Sequence, residues 1–111
     1  MDRKYKISKT MDKNIDSIVK NYLAYIKKEG YQVEQAYLFG SYANGNAHEY
    51  SDIDVALIFN FIKDEYEMQL ELMLLGEKCD LRIEPHPIAM SDFNKIHPLA
   101  AEMIRHGVKI S

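Results

Sequence analysis

The stretch "YLFGSYANGNAHEYSDIDVALIF", Tyr37 to Phe59, decides how this 111-residue chain is read. A segment begun at Val33 becomes an apolar run at Ala36 and ends at Phe39. Gly40 and Ser41 follow, ten residues intervene (Tyr42 to Ser51), and Asp52-Ile53-Asp54 opens a second apolar run that reaches Phe59. Each run predicts a strand, the first over Val33–Phe39 and central because "AYLF" is apolar throughout. The second strand is predicted over Asp52–Phe59. Its period of two puts Ile53, Val55, Leu57 and Phe59 on one face and Asp52, Asp54, Ala56 and Ile58 on the other. Carboxylates on the same face of a short apolar strand repel each other, so something must offset the cost. Gly40 and Ser41 mark a sharp exit, "SYANG" a short helical turn and "NGNAHEYS" a polar loop.

Outward from this stretch, Ile15, Ile18, Val19, Tyr22, Leu23 and Ile26 fall at helical spacing. They predict a helix over Asn14–Lys28 with Asp12 or Asn14 as its cap and Gly30 past its end, and they leave residues 1–11 as a flexible arm. "KDEYEMQLELMLLGEK" predicts an amphipathic helix with Met68, Leu72 and Leu75 inward, closed by Gly76. "DLRIEPHPI", Asp80 to Ile88, predicts a third strand, with Leu81 and Ile83 facing one way and Asp80, Arg82 and Glu84 the other. Pro85 and Pro87 place it at a sheet edge. "HPLAAEMIRHG" predicts a last helix, with Pro98 in its first turn and Gly107 beyond its end, and "VKI" a short final strand. The order gives an α+β fold: a sheet with helices packed on one face and the acidic face open.

The length fits one domain spanning residues 1–111. No apolar run could span a membrane, and the N-terminus lacks the apolar core of a secretory signal. Cys79 stands alone, so no internal disulfide forms; this fits a cytoplasmic protein, and Cys79 is expected to be a small core residue. The formal net charge of −3, without a Lys/Arg block, argues against nucleic acid as the main substrate. His48, His97 and His106 form no zinc pattern with Cys79.

Asp52 and Asp54, joined on one side by Glu84 or Asp80, suit hard divalent cations such as Mg²⁺ or Mn²⁺. Two such ions are what in-line phosphoryl or nucleotidyl transfer requires. Gly40 lets backbone approach a phosphate, Ser41 offers a hydroxyl, and a helix start adds free N–H groups. Each part alone is ordinarily structural: Gly-Ser is a common turn, and Asp-x-Asp is usually solvated. Their combination at this spacing is far less common. Arg82 either clamps a phosphate or neutralises its acidic neighbours. His86 either binds nucleotide and carries protons or is a hydrogen-bonded turn residue. Tyr42 and Tyr50 either stack on a base or pack. Excess apolar surface on the Met68–Leu75 helix or at Leu99–Ile104 would mark a protein contact.

"GSYANGNAHEYSDID" resembles the Gly-Ser, ten-residue, Asp-x-Asp motif of the minimal nucleotidyltransferase family, a branch of the DNA polymerase β-like superfamily. "RIEPHP", Arg82 to Pro87, resembles stand-alone bacterial members, and the likeness runs from roughly Ile15 to Ile110. The resemblance implies a mixed sheet flanked by helices, with the active site on the open face. It implies that Gly40 and Ser41 contact the triphosphate and that Asp52 and Asp54 bind two Mg²⁺ or Mn²⁺ ions with the NTP. The third carboxylate is Glu84, with Asp80 as the alternative: "KCDL" aligns with the family's "VDL", whereas "RIEP" favours Glu84. The implied activity moves an NMP, foremost AMP from ATP, to an acceptor hydroxyl. Larger relatives carry an acceptor-binding domain, so a partner is expected to supply that surface here. A specific version is an antitoxin that adenylylates a tyrosine of a helical HEPN-type toxin. The other expectations are a binding module that masks its partner, and transfer to a small molecule as in antibiotic-modifying relatives.

Overall fold

The structure, a computed structural model, describes residues 2–48, 51–94 and 96–111. In chain order it contains α1 (Asp2–Lys28), β1 (Gln35–Phe39), α2 (Ser41–Asn44), β2 (Ile53–Phe59), α3 (Glu65–Glu77), β3 (Ile83–Ala89), a single 3₁₀ turn (Met90–Asp92), α4 (Pro98–His106) and β4 (Val108–Lys109). The four strands form one mixed sheet in the order β3-β2-β1-β4. β1 runs antiparallel to both β2 and β4, and β2 runs parallel to β3 through the α3 crossover. The α+β class and the order of long elements are those expected.

The long helices cover one face. Ile15, Val19, Tyr22, Leu23 and Ile26 of α1 and Leu72 of α3 are buried against Ala36, Leu38, Ile53, Val55, Leu57, Phe59 and Ile83. Each such side chain contributes about 1.5–3 kcal/mol when fully buried. Tyr22 tolerates burial because its hydroxyl donates to the Leu72 carbonyl at 2.8 Å. The opposite face is not left wholly open. Met103 of α4 packs there on Phe39, Ala56, Ile58 and Ile88, an arrangement that helices on one face alone would not give. β2 is therefore buried on both sides from Val55 to Phe59.

Several boundaries differ from expectation for local reasons. α1 begins at Asp2, so Asp12 and Asn14 lie within the helix and not at its start; residues 2–13 contain no glycine or proline to stop it. Gly76 lies within α3 and does not close it. A Cβ there would sit 3.3 Å from Ile83 Cγ2 and 3.4 Å from Tyr22 Cε1, so the glycine lets α3 seat closely on the sheet. β3 starts at Ile83, because Asp80 folds the chain into a turn by accepting the Arg82 backbone N–H at 2.9 Å. Leu81 consequently points away from the core and is 81% exposed. Cys79, in the turn after α3, is exposed and is not a core residue. β3 is an edge strand, as its prolines required. Pro85 and Pro87 are two apart, so their missing N–H groups face the same side, and Gln69 Nε2 of α3 donates to the Pro85 carbonyl at 3.0 Å. Among the described residues no helix is long and apolar enough to cross a membrane.

Candidate functional site

β1 ends at Phe39, and the chain turns at once through Gly40, whose φ of +71° and ψ of −149° only glycine adopts readily. α2 follows, a four-residue turn closed by Gly45 in the left-handed region. Its short length gives little macrodipole, so what it offers an anion is its first free backbone N–H groups. Phe39 lies opposite Asp54 in the antiparallel β1–β2 ladder. That register presses the Gly40 backbone onto the Asp54 side chain: a Cβ on Gly40 would lie 2.4 Å from Asp54 Oδ2. The turn and the carboxylate thus form one unit that tolerates no side chain between them.

On the other side of Asp54, the parallel β2–β3 ladder sets Asp54 opposite Glu84 and Ala56 opposite His86. Adjacent strands are about 4.8 Å apart, so the facing carboxylates converge. One donor atom from each of Asp54, Glu84 and His86 lies within 4.8 Å of the other two. His86 Nε2 is 3.3 Å from Asp54 Oδ1 and 3.9 Å from Glu84 Oε1. Burial first, then a hydrogen bond with Asp52 and the charge of Asp54, push the Glu84 carboxyl above its ordinary pKa, against an opposing pull from His86. Asp52, just ahead of β2, thus meets the cluster through Glu84. Two carboxylate oxygens and an imidazole nitrogen converging on one point are a donor set that fits a divalent cation. The sequence pattern points to an oxygen-only set; the imidazole is an addition.

Asp80 and Arg82 are placed elsewhere, in the turn before β3. Arg82 Nε and Nη2 donate to the two Asp80 oxygens at 3.0 and 2.8 Å, and Nη1 donates to the Tyr42 hydroxyl at 3.1 Å. These bonds hold the Asp80 carboxyl below its ordinary pKa and raise that of the guanidinium. Tyr42 is buried and packs, and its hydroxyl donates to the His48 carbonyl at 3.0 Å. The Arg82 backbone carbonyl accepts the Ile53 N–H at 2.7 Å. Asp80, Arg82 and Tyr42 therefore tie α2, the following loop and the entries to β2 and β3 into one brace. Tyr50 lies outside the described residues. His97 caps α4, its Nδ1 accepting the Ala100 N–H at 3.4 Å.

A pocket of ≈ 350 Å³ opens beside the turn, lined by Gly40, Ala43, Glu102 and His106. Its volume falls in the range of small-ligand sites. The sequence pattern does not single out Glu102 and His106 as site residues; their only trace there is their i, i+4 spacing on α4, which puts both on one helix face.

The Polymerase beta, Nucleotidyltransferase family model matches residues 13–111. The chain belongs to this family. Its fold is also similar to that of a candidate nucleotidyltransferase from Sulfolobus solfataricus, with a TM-score of 0.60 and 17% identity over 77% of this chain and 76% of that one. A toxin-antitoxin structure with AMP-PNP gives a TM-score of 0.62 and 22% identity over 86% of this chain and 72% of that one. No curated protein sequence matches. In this chain the β1–β2 register brings the Gly40–Ser41 turn and the acidic start of β2 together.

Proposed function

We infer that this nucleotidyltransferase moves an NMP, foremost AMP from ATP, to a hydroxyl on a partner protein in the cytoplasm. The observation that carries the reading is the close approach of the Gly40 backbone to Asp54, which sets the Gly40–Ser41 turn directly against a metal-competent carboxylate. In this reading Gly40 and Ser41 receive the triphosphate, and Asp52, Asp54 and Glu84 hold Mg²⁺ or Mn²⁺. Bound there, the ions supply neutralising charge for the phosphates and lower the pKa of the acceptor hydroxyl. The hydroxyl oxygen bonds to the α-phosphorus, the bond from that phosphorus to the bridging β-phosphate oxygen breaks, pyrophosphate leaves, and the hydroxyl proton passes to solvent. Glu84 is preferred to Asp80 as third carboxylate because it faces Asp54 across the ladder, whereas Asp80 is engaged by Arg82. Arg82 acts in this scheme by holding the turn in place.

A protein acceptor is favoured by the outer face of α3. Tyr66, Leu70 and Leu74 recur at a spacing of four and are 74%, 45% and 63% exposed, a stripe that a partner would cover. The similar toxin-antitoxin structure with AMP-PNP supports an antitoxin role; a HEPN-type toxin as the acceptor follows from the family resemblance alone. The test incubates the protein with Mg²⁺, each α-labelled NTP in turn and lysate of its host, beside an Asp52→Asn/Asp54→Asn variant. A labelled protein band absent with the variant is the expected result. If no label moves to protein, RNA or small molecules while a partner still co-purifies, catalysis is not the function and the chain is a masking module.

A further inference from the structure

His86 is held in place from two directions. Its ring packs edge-on against Phe39, with centroids 5.0 Å apart and planes at 65°. The parallel ladder sets it two residues beyond Glu84 on the same face. Its Nε2 is thereby aimed between the carboxylates of Asp54 and Glu84, at 3.3 and 3.9 Å. The contact to Asp54 is a hydrogen bond, longer than the about 2.7–2.9 Å of a charge-assisted N–H···O bond. Donors bound at about 2.1 Å to a six-coordinate ion stand about 3.0 Å apart when adjacent and about 4.2 Å apart when opposite. The 3.3 Å separation is close to the adjacent value and the 3.9 Å one falls short of the opposite value, so shifts of a few tenths of an ångström would bring Nε2 into a coordination sphere shared with both carboxylates.

We propose that His86 Nε2 is a ligand of the divalent ion shared by Asp54 and Glu84, and that it tilts this site toward Mn²⁺ over Mg²⁺. The proposal rests on the reading of Asp54 and Glu84 as metal ligands. Mg²⁺ is a hard ion that keeps oxygen ligands and surrenders water reluctantly, so a nitrogen donor adds little to its binding. Mn²⁺ is at home among carboxylates yet also accepts imidazole, as first-row transition ions do. A nitrogen placed in a carboxylate site therefore discriminates between two ions of the same charge.

The test uses the full chain with Mn²⁺ and α,β-methylene ATP, a nucleotide it cannot cleave at the α-phosphorus. Pulsed electron paramagnetic resonance on protein labelled with ¹⁵N-histidine reads histidine nitrogen bound to Mn²⁺ directly and separates it from nucleotide nitrogen. The expected result is a ¹⁵N coupling in the wild type that disappears in His86→Gln while Mn²⁺ stays bound. Losing even an outer-shell partner of a metal ligand costs about 10–100-fold in affinity, so His86→Gln and His86→Asn each weaken Mn²⁺ at least about tenfold and leave Mg²⁺, measured by competition, nearly unchanged. Mn²⁺ that binds, and is lost in Asp54→Asn, but shows no ¹⁵N coupling in the wild type overturns His86 ligation and leaves the carboxylate site standing. Equal weakening of Mn²⁺ and Mg²⁺ in both variants overturns the selectivity. Failure of the wild type to bind Mn²⁺ overturns the metal site and the proposal together.

Discussion

Replacing Gly40 by alanine tests the contact on which the site is built. Two costs add. The backbone at φ +71° and ψ −149° belongs to a region nearly restricted to glycine, and holding another residue there costs about 1–3 kcal/mol. The new Cβ would also lie 2.4 Å from Asp54 Oδ2, where contacts below 3.0 Å essentially never occur, so the carboxylate must retreat by about 0.6 Å or more. Misplacing a reacting group by about 1 Å costs about 100-fold in rate, so nucleotidyl transfer should fall by about 10–100-fold. A domain of this size loses about 4 °C of Tm per kcal/mol, which places the expected fall at about 4–12 °C. Gly45→Ala is the control. Gly45 has a φ of +81° with nothing within 4 Å of an added Cβ. It should lose about 1–2 kcal/mol of stability from the left-handed backbone alone, with Mn²⁺ binding and transfer preserved. Melting curves, Mn²⁺ titration and label transfer are measured on both variants. Wild-type Mn²⁺ affinity and transfer in Gly40→Ala would show that the glycine does not set the position of the Asp54 carboxylate. Equal losses in Gly45→Ala would assign the effect to general loosening of the loop.

The carboxylates predict opposite pH responses. Glu84 has a raised pKa in the folded state, so the metal-free native protein holds more protons than the unfolded chain and loses stability as pH rises through that titration. In chelator, Glu84→Gln should match the wild type in acid and melt higher at neutral pH, and added Mn²⁺ should stabilise only the wild type. A variant that melts lower at neutral pH contradicts the carboxylate repulsion. Asp80 has a lowered pKa through Arg82, so its contribution is present above the unfolded carboxylate value of about 3.9 and is lost as pH falls through the folded one. Asp80→Asn should lower Tm at neutral pH and flatten the acid limb of the Tm profile; an unchanged limb would count against the ion pair. Tyr42→Phe removes bonds to His48 and Arg82. A neutral bond contributes about 0.5–1.5 kcal/mol and one to a charged group about 1.5–3, so a loss of about 2–4.5 kcal/mol is expected, with faster amide exchange at residues 46–48. Undisturbed exchange there would show that Tyr42 does not brace the loop.

How far the sequence can be read depends on the range of each interaction. Alternation along β2 is enough to place Asp54 with Ala56 and Ile58, because side chains of one strand can point only two ways. Pro85 and Pro87 place β3 at an edge, since each lacks the donor a central strand needs. The same alternation misplaces Leu81 and leaves Asp80 equal to Glu84, because it assumes that the strand has begun. The Asp80 side chain instead captures the Arg82 N–H and makes a turn. The residue type of Cys79 suggests a core position, but the turn it occupies faces outward.

The local terms are legible along the chain: which segments form strands and helices, which residues share a face, and that Gly40-Ser41 and Asp52-x-Asp54 are joined by a short loop. Periodicity and turn chemistry act within a few residues, and a sequence displays them. Which residues meet depends on the folded chain as a whole. The register of β2 against β3 chose Glu84 as the facing carboxylate and brought in His86. The register of β1 against β2 set Gly40 on Asp54. The seat of α4 put Glu102 and His106 beside the turn. A one-residue slip in either ladder would send every side chain of that strand to the other face and dissolve the site. Register is fixed by the packing of the whole core, and no single segment carries it.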